Sequence, residues 1–161
     1  MSKAFTRESD DAPEPRPLAR LTSSLPPGAK NYLTPDGAQR LQAELDQLLQ
    51  QRALEKPSSN TSIEQRILRL QNSLATAVVT PAPPPPWEQV RFGATVTVRD
   101  ASGSETGYRL VGVDETDLDR EWVSWLSPIA RALLNARRGQ RLRFKLPAGE
   151  AQLEIVAITY E

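Results

Sequence analysis

With no His and no Cys among 161 residues, the side chains left for chemistry are carboxylates, hydroxyls, amines and guanidiniums. Disulfides, Cys/His zinc sites, thiol nucleophiles and every Ser-His or Cys-His catalytic pair are thereby excluded. Carboxylates alone can still hold a hard cation such as Mg²⁺. The densest acidic run is Asp114-Glu115-Thr116-Asp117-Leu118-Asp119. It lacks the regular ligand spacing and the turn Gly of a calcium loop, so it reads as a solvated turn. Neither a metal site nor a cofactor is expected. Arg141, Arg143 and Lys145 alternate with Leu142, Phe144 and Leu146 and form a basic stripe on one strand face. A solvated sheet surface explains that stripe; proximity to a partner or to nucleic acid is the alternative.

The bulk composition sets the frame for these groups. Twenty basic and twenty acidic residues balance, at a pI near 6.4, so the chain as a whole is no electrostatic glue for nucleic acid or membranes. Hydrophobic residues at 39% allow a modest core, whereas 14 Pro and 6% aromatics predict that part of the chain is extended. No apolar run approaches about 18 residues and no signal peptide is visible. A soluble, cytoplasmic monomer without membrane contact is the expectation.

Four segments follow along the chain. Residues 1–30 are polar and punctuated by Pro13, Pro15, Pro17, Pro26 and Pro27, and read as a flexible arm. Residues 31–79 read as an antiparallel helical hairpin. Thr34 is placed as an N-cap before Pro35 and Asp36, with Leu33 and Ala38 as a hydrophobic staple. Ala38, Leu41, Leu45 and Leu48 then recur at helical period over about 22 residues, or about 33 Å, until Pro57. Thr61-Ser62-Ile63-Glu64 has the form of a capping box, and Ile63, Ile67, Leu70, Leu74 and Ala77 make the matching seam. Residues 80–87 are a Pro-rich linker, read as a semi-rigid spacer rather than a ligand for an aromatic groove.

Residues 88–161 change to period two. Strands are expected over 94–98, 108–113, 121–126 and 151–160, with the 141–146 alternation as another. Ser127-Pro128 repeats the cap-then-proline signal and opens a short helix ended by Arg137, Arg138 and Gly139. Trp122 and Trp125 lie an odd number apart, which puts them on opposite strand faces, one in the core and one partly exposed. The fold class is α+β: a helical hairpin followed by a small antiparallel-sheet domain with one short helix.

The chain resembles the bacterial Gre transcription elongation factors, closest to the GreB type. The matching residues are Asn31-Tyr32-Leu33-Thr34-Pro35-Asp36-Gly37, Arg40-Leu41-Gln42-Ala43-Glu44-Leu45, Phe92-Gly93-Ala94-Thr95-Val96, Val111-Gly112-Val113-Asp114-Glu115 and Val123-Ser124-Trp125-Leu126-Ser127-Pro128-Ile129-Ala130-Arg131-Ala132-Leu133-Leu134. Pro147-Ala148-Gly149 and the opening Met1-Ser2-Lys3-Ala4-Phe5 add to the set. The resemblance implies an N-terminal coiled coil and a C-terminal FKBP-like domain that docks on RNA polymerase at the rim of the secondary channel. It also implies a hairpin that enters the channel, where two acidic tip residues help hold a catalytic Mg²⁺ for cleavage of backtracked RNA. Trp125, Ser127, Pro128, Ile129 and Arg131 are the positions it points to for polymerase contact.

The departure lies at the tip. The family pattern, roughly Gly-Asp-x-Ser-Glu-Asn-x-Asp-Tyr on longer helices, is replaced by a turn built on Glu55, Lys56, Pro57, Ser58, Ser59 and Asn60. Glu55 and Glu64 are the nearest carboxylates, each with a basic neighbour in Lys56 or Arg66. Each missing helical turn withdraws the tip by about 5.4 Å, whereas metal ligands tolerate errors of about 0.2 Å. The expectation is therefore a non-enzymatic polymerase-binding regulator without cleavage stimulation, similar in its short hairpin to the Rnk-like branch. The alternatives are an active cleavage factor using Glu55 and Glu64, or a prolyl isomerase suggested by the fold alone.

Overall fold

Leu41 and Leu45 on one helix close against Ile67 and Leu70 on the next, and Leu33 completes this buried seam. The computed structural model describes residues 25–54, 61–146 and 149–161. The first helix, α1 (Pro35–Leu54), follows a three-residue strand, β1 (Asn31–Leu33), and the second, α2 (Thr61–Thr76), runs directly into β2 (Ala77–Val79). The arm 1–24 and the tip residues Glu55, Lys56, Ser58 and Asn60 lie outside the described residues, as does the Pro147-Ala148 turn.

The cap on α1 forms as the sequence dictates. The Thr34 hydroxyl oxygen accepts the Gly37 N–H at 3.0 Å, and Leu33 shares a buried cluster with Ala38. Two features depart from the hairpin reading. Ala77 leaves the helix for β2, which pairs with β1 in parallel: Asn31 with Ala77, Tyr32 with Val78, Leu33 with Val79. A parallel pair needs a long crossover, and here the whole helical hairpin supplies it. Asn31 stitches the join, because its amide donates to the Ser73 carbonyl at 2.9 Å in the last turn of α2. At the other end Thr61 is already helical, and Glu64 turns across the hairpin to Arg52 at 3.3 Å.

The second body is a five-stranded sheet in the order β5-β4-β3-β7-β6, formed by β3 (Thr95–Arg99), β4 (Glu105–Val111), β5 (Trp122–Ser124), β6 (Arg141–Leu146) and β7 (Gly149–Thr159). Alternation holds on β3, where Val96 and Val98 are buried and Thr95 and Thr97 are not. Those valines meet Leu110, Ile155 and Ile158 from the sheet and Ala130 and Leu133 from α3 (Pro128–Leu133). Three of the four strand pairings are antiparallel. The exception is β5, which lies parallel to β4 with Trp122 opposite Arg109. The basic stripe is solvated: Arg141, Arg143 and Lys145 are exposed on an edge strand, where charges blunt pairing with other chains.

Helix α3 ends at Leu133, short of the Arg137-Arg138-Gly139 stop, because Asn135 takes a left-handed φ of 67°. At the linker's end, the Trp87 indole N–H donates to the Pro83 carbonyl at 2.9 Å, and its ring packs 5.4 Å from Tyr160. The Pro-rich stretch is thus pinned to the sheet domain where it arrives.

Candidate functional site: the Ser-Pro corner and the hairpin junction

Ser127 and Pro128 form the corner between β5 and α3. The Ser127 hydroxyl caps α3 by accepting the Ala130 N–H at 3.3 Å, and Pro128 occupies the first turn. The cap commits one side of the corner to the helix and leaves the other to solvent: Pro128 and Arg131 are exposed, and Ser127 is half-buried. Ile129 is half-buried and packs on the sheet core, while Leu133 is fully buried beneath it. The corner therefore presents a rigid proline and an exposed guanidinium from a well-anchored base.

Trp125 departs from the expectation of alternate faces. Strand β5 ends at Ser124, so the period-two rule does not extend to residue 125, and neither Trp enters the core. Trp125 is half-buried edge-on against Tyr32 at 5.1 Å, and Tyr32 in turn meets Phe92 at 5.6 Å. Trp122 lies under three guanidiniums, Arg40 at 4.6 Å, Arg109 at 4.7 Å and Arg120 at 5.2 Å. Arg40 belongs to α1 and the other two to the sheet domain. Both indoles thus sit where hairpin and sheet meet.

The acidic run at 114–119 is only partly the solvated turn its composition predicts. Val113–Glu115 forms a single 3₁₀ turn, and the Glu115 side chain is 1% exposed. Its Oε2 accepts the Thr34 N–H at 3.0 Å and the Gly112 N–H at 2.8 Å, and its Oε1 accepts the Thr34 hydroxyl. Arg40 Nη2 stands 3.8 Å from the same carboxylate. Next to it, Asp114 accepts the Ser73 hydroxyl. Consecutive carboxylates therefore hold one helix each, Asp114 holding α2 and Glu115 holding α1. The buried charge is tolerated because donors surround it. Sequence reasoning passed over this role. Its signal was Gly37 in the first turn of a helix, and Gly112, at both of which a Cβ would collide with Glu115.

The structure gathers Trp125, Ser127, Pro128, Ile129 and Arg131 at one corner of the sheet domain. Glu55, Lys56, Ser58 and Asn60 follow α1, whose 20 residues span about 30 Å from the junction. Among the described residues, no group of three or more His, Cys, Asp or Glu could hold a metal ion. Among the same residues, no helix is long and apolar enough to cross a membrane.

A two-helix hairpin rooted on a five-stranded sheet, with an exposed capped corner beside the root, defines a class of protein built from a sheet domain and a helical arm. The model of the "Transcription elongation factor, GreA/GreB, C-term" family matches residues 84–160. Transcription elongation factor GreB of Neisseria meningitidis serogroup A is 34% identical over 157 residues, covering 81% of this chain and 94% of that protein. GreB of Xanthomonas axonopodis pv. citri is 36% identical over 160 residues, covering 84% and 95%. Among solved structures, the prokaryotic transcription elongation factor GreA/GreB from Nitrosomonas europaea is 27% identical, with a TM-score of 0.44, covering 81% of this chain and 100% of that one. The chain belongs to the GreA/GreB family of transcription elongation factors.

Proposed function

We propose that this elongation factor binds bacterial RNA polymerase at the rim of the secondary channel and projects its hairpin into the channel without stimulating transcript cleavage. The sheet domain is the dock, and Trp125, Ser127, Pro128, Ile129 and Arg131 are its contact corner. The observation that carries the non-cleaving reading is the composition of the hairpin end. Between Leu54 and Thr61 the connecting sequence holds a single carboxylate, Glu55, beside Lys56. The next carboxylate, Glu64, is engaged by Arg52. A pair of free oxygen ligands for a hard cation is therefore missing from the described hairpin end and its adjoining sequence. The chain competes for the channel rather than delivering a metal ligand to it, and in the cell it works in the cytoplasm as a monomer.

The test uses stalled, backtracked elongation complexes of the cognate polymerase. Added alone, the protein should leave the cleavage rate unchanged. Added against a full-length Gre factor, it should block cleavage in a dose-dependent way. Stimulation by the protein alone, abolished when Glu55 and Glu64 are both replaced, would overturn the non-cleaving reading.

A further inference from the structure

Away from the proposed contact corner and the hairpin end, the buried Glu115 carboxylate lies between α1 and the sheet domain. Helix α1 does not need it as a cap, since the Thr34 hydroxyl already accepts the Gly37 N–H at 3.0 Å. Glu115 instead bonds to the cap residue itself, through both the N–H and the hydroxyl of Thr34, from a turn of the sheet domain. We propose that Glu115 is a positioning residue that sets the angle at which the hairpin leaves the sheet domain.

Three features make this bond a clamp. Gly112 donates to the same oxygen that accepts Thr34, so the carboxylate is held from its own side as well. Gly37 and Gly112 leave the space it fills, and a Cβ at Gly112 would also strike the Tyr32 carbonyl. Arg40, one turn along α1, stands 3.8 Å from Glu115 and lies over Trp122 of β5. Together with the Ser73–Asp114 bond to α2, these contacts fasten both helices to one 3₁₀ turn. The hairpin then moves as a lever on that turn. Over about 30 Å of α1, a tilt of about 10° at the root displaces the far end by about 5 Å. The consequence for channel entry rests on the polymerase-docking reading; the clamp itself does not.

The test reads the angle in the free protein. The chain has no Cys, so nitroxide labels can be placed without background. A Gln50→Cys and Arg143→Cys pair reports the hairpin–domain distance by pulsed dipolar spectroscopy, and a Gln50→Cys and Gln71→Cys pair reports distance within the hairpin. In the native background both should give single narrow distributions. Glu115→Gln keeps one acceptor oxygen for the two N–H groups but sets an NH2 in place of the oxygen that accepts the Thr34 hydroxyl, and Gly37→Ala pushes the carboxylate out while raising the helix propensity of α1. Both variants should broaden or shift the hairpin–domain distribution and leave the within-hairpin one alone. Thr34→Ser keeps both donors and should retain the native distribution. Unchanged hairpin–domain distances in Glu115→Gln and Gly37→Ala would overturn the proposal, and so would broadening in Thr34→Ser, which would assign the order to the Thr34 methyl group. Should Glu115→Gln unfold by circular dichroism, Gly37→Ala decides on its own. Polymerase takes no part in this measurement, so its outcome is independent of whether the protein docks there.

Discussion

The Thr34 N–H and the Glu115 carboxylate meet at 3.0 Å although 81 positions separate them in the chain. That contact joins the first residue before α1 to a turn of the sheet domain. It places the root of the hairpin beside β5, the strand that leads into the Ser127-Pro128 corner. The buried Glu115 carboxylate therefore joins hairpin and sheet domain, beside the Ser73–Asp114 bond and the Arg40–Trp122 contact.

Gly112→Ala should destabilise the protein by about 2 kcal/mol or more, because the new Cβ meets the Tyr32 carbonyl and Glu115. Neither the backbone atom nor the clamped carboxylate can step aside cheaply. Gly107→Ala, on β4 with open space around it, should be neutral or stabilising by about 0.5 kcal/mol. Urea titrations of the two variants give the contrast directly, and equal effects would show that the tight space at Gly112 is unimportant.

Burial should outweigh charge in the hairpin. Ile67→Ala removes a side chain that is 1% exposed and should cost about 2–5 kcal/mol. Glu44→Gln breaks a forked pair to Arg66 at 2.7 and 2.8 Å, a hydrogen bond that holds the guanidinium pKa above its ordinary value. Both partners are about 40% exposed, so water screens the pair and its loss should cost less than about 1 kcal/mol, and less still in salt. Thermal melts at low and high ionic strength distinguish the two.

Tyr160 ties the start of the sheet domain to its last strand. Its hydroxyl accepts the Arg91 N–H at 3.1 Å and donates to the Gln89 carbonyl at 3.2 Å. Tyr160→Phe should cost about 1–2 kcal/mol at neutral pH. Burial raises the phenol pKa above its ordinary value of about 10, so the folded state holds this proton more tightly than the unfolded one. The stabilisation is complete below the unfolded pKa and is lost as pH rises through the folded one. The stability gap between the native protein and Tyr160→Phe should narrow from pH 9 to 11 in urea titrations; a gap that widens would be the wrong sign.

At the proposed contact corner, stability and binding should part company. Ser127→Ala removes the α3 cap and should cost about 1 kcal/mol. Arg131→Glu changes an exposed side chain and should leave the melting temperature within error. The same change should weaken competition with a full-length Gre factor on backtracked complexes. Undiminished competition by Arg131→Glu would remove this residue from the contact corner.

Much of the architecture was legible where a signal repeats along the chain. The Leu41–Leu45 and Ile67–Leu70 spacings, the Thr34 and Ser127 caps and the Val96–Val98 alternation are each visible within a few residues of sequence. Local geometry is enough for these, because helix and strand periods are properties of the backbone itself. The opening of α3 at Ser127 and Pro128 was legible for the same reason, as a cap-then-proline pattern.

What the tertiary structure alone decided are the places where distant segments meet. Three-residue strands carry no period, so the parallel β1–β2 pair and the parallel placement of β5 on β4 leave no trace in their own sequences. Trp122 and Trp125 could not be sorted by strand face, because β5 stops between them and the hairpin supplies their neighbours. Glu115 sits in a run of acids that composition marks as solvated, and only folding brings Thr34 and Arg40 to it. A buried charge is recognised by its donors, and here most of those donors lie far away along the chain.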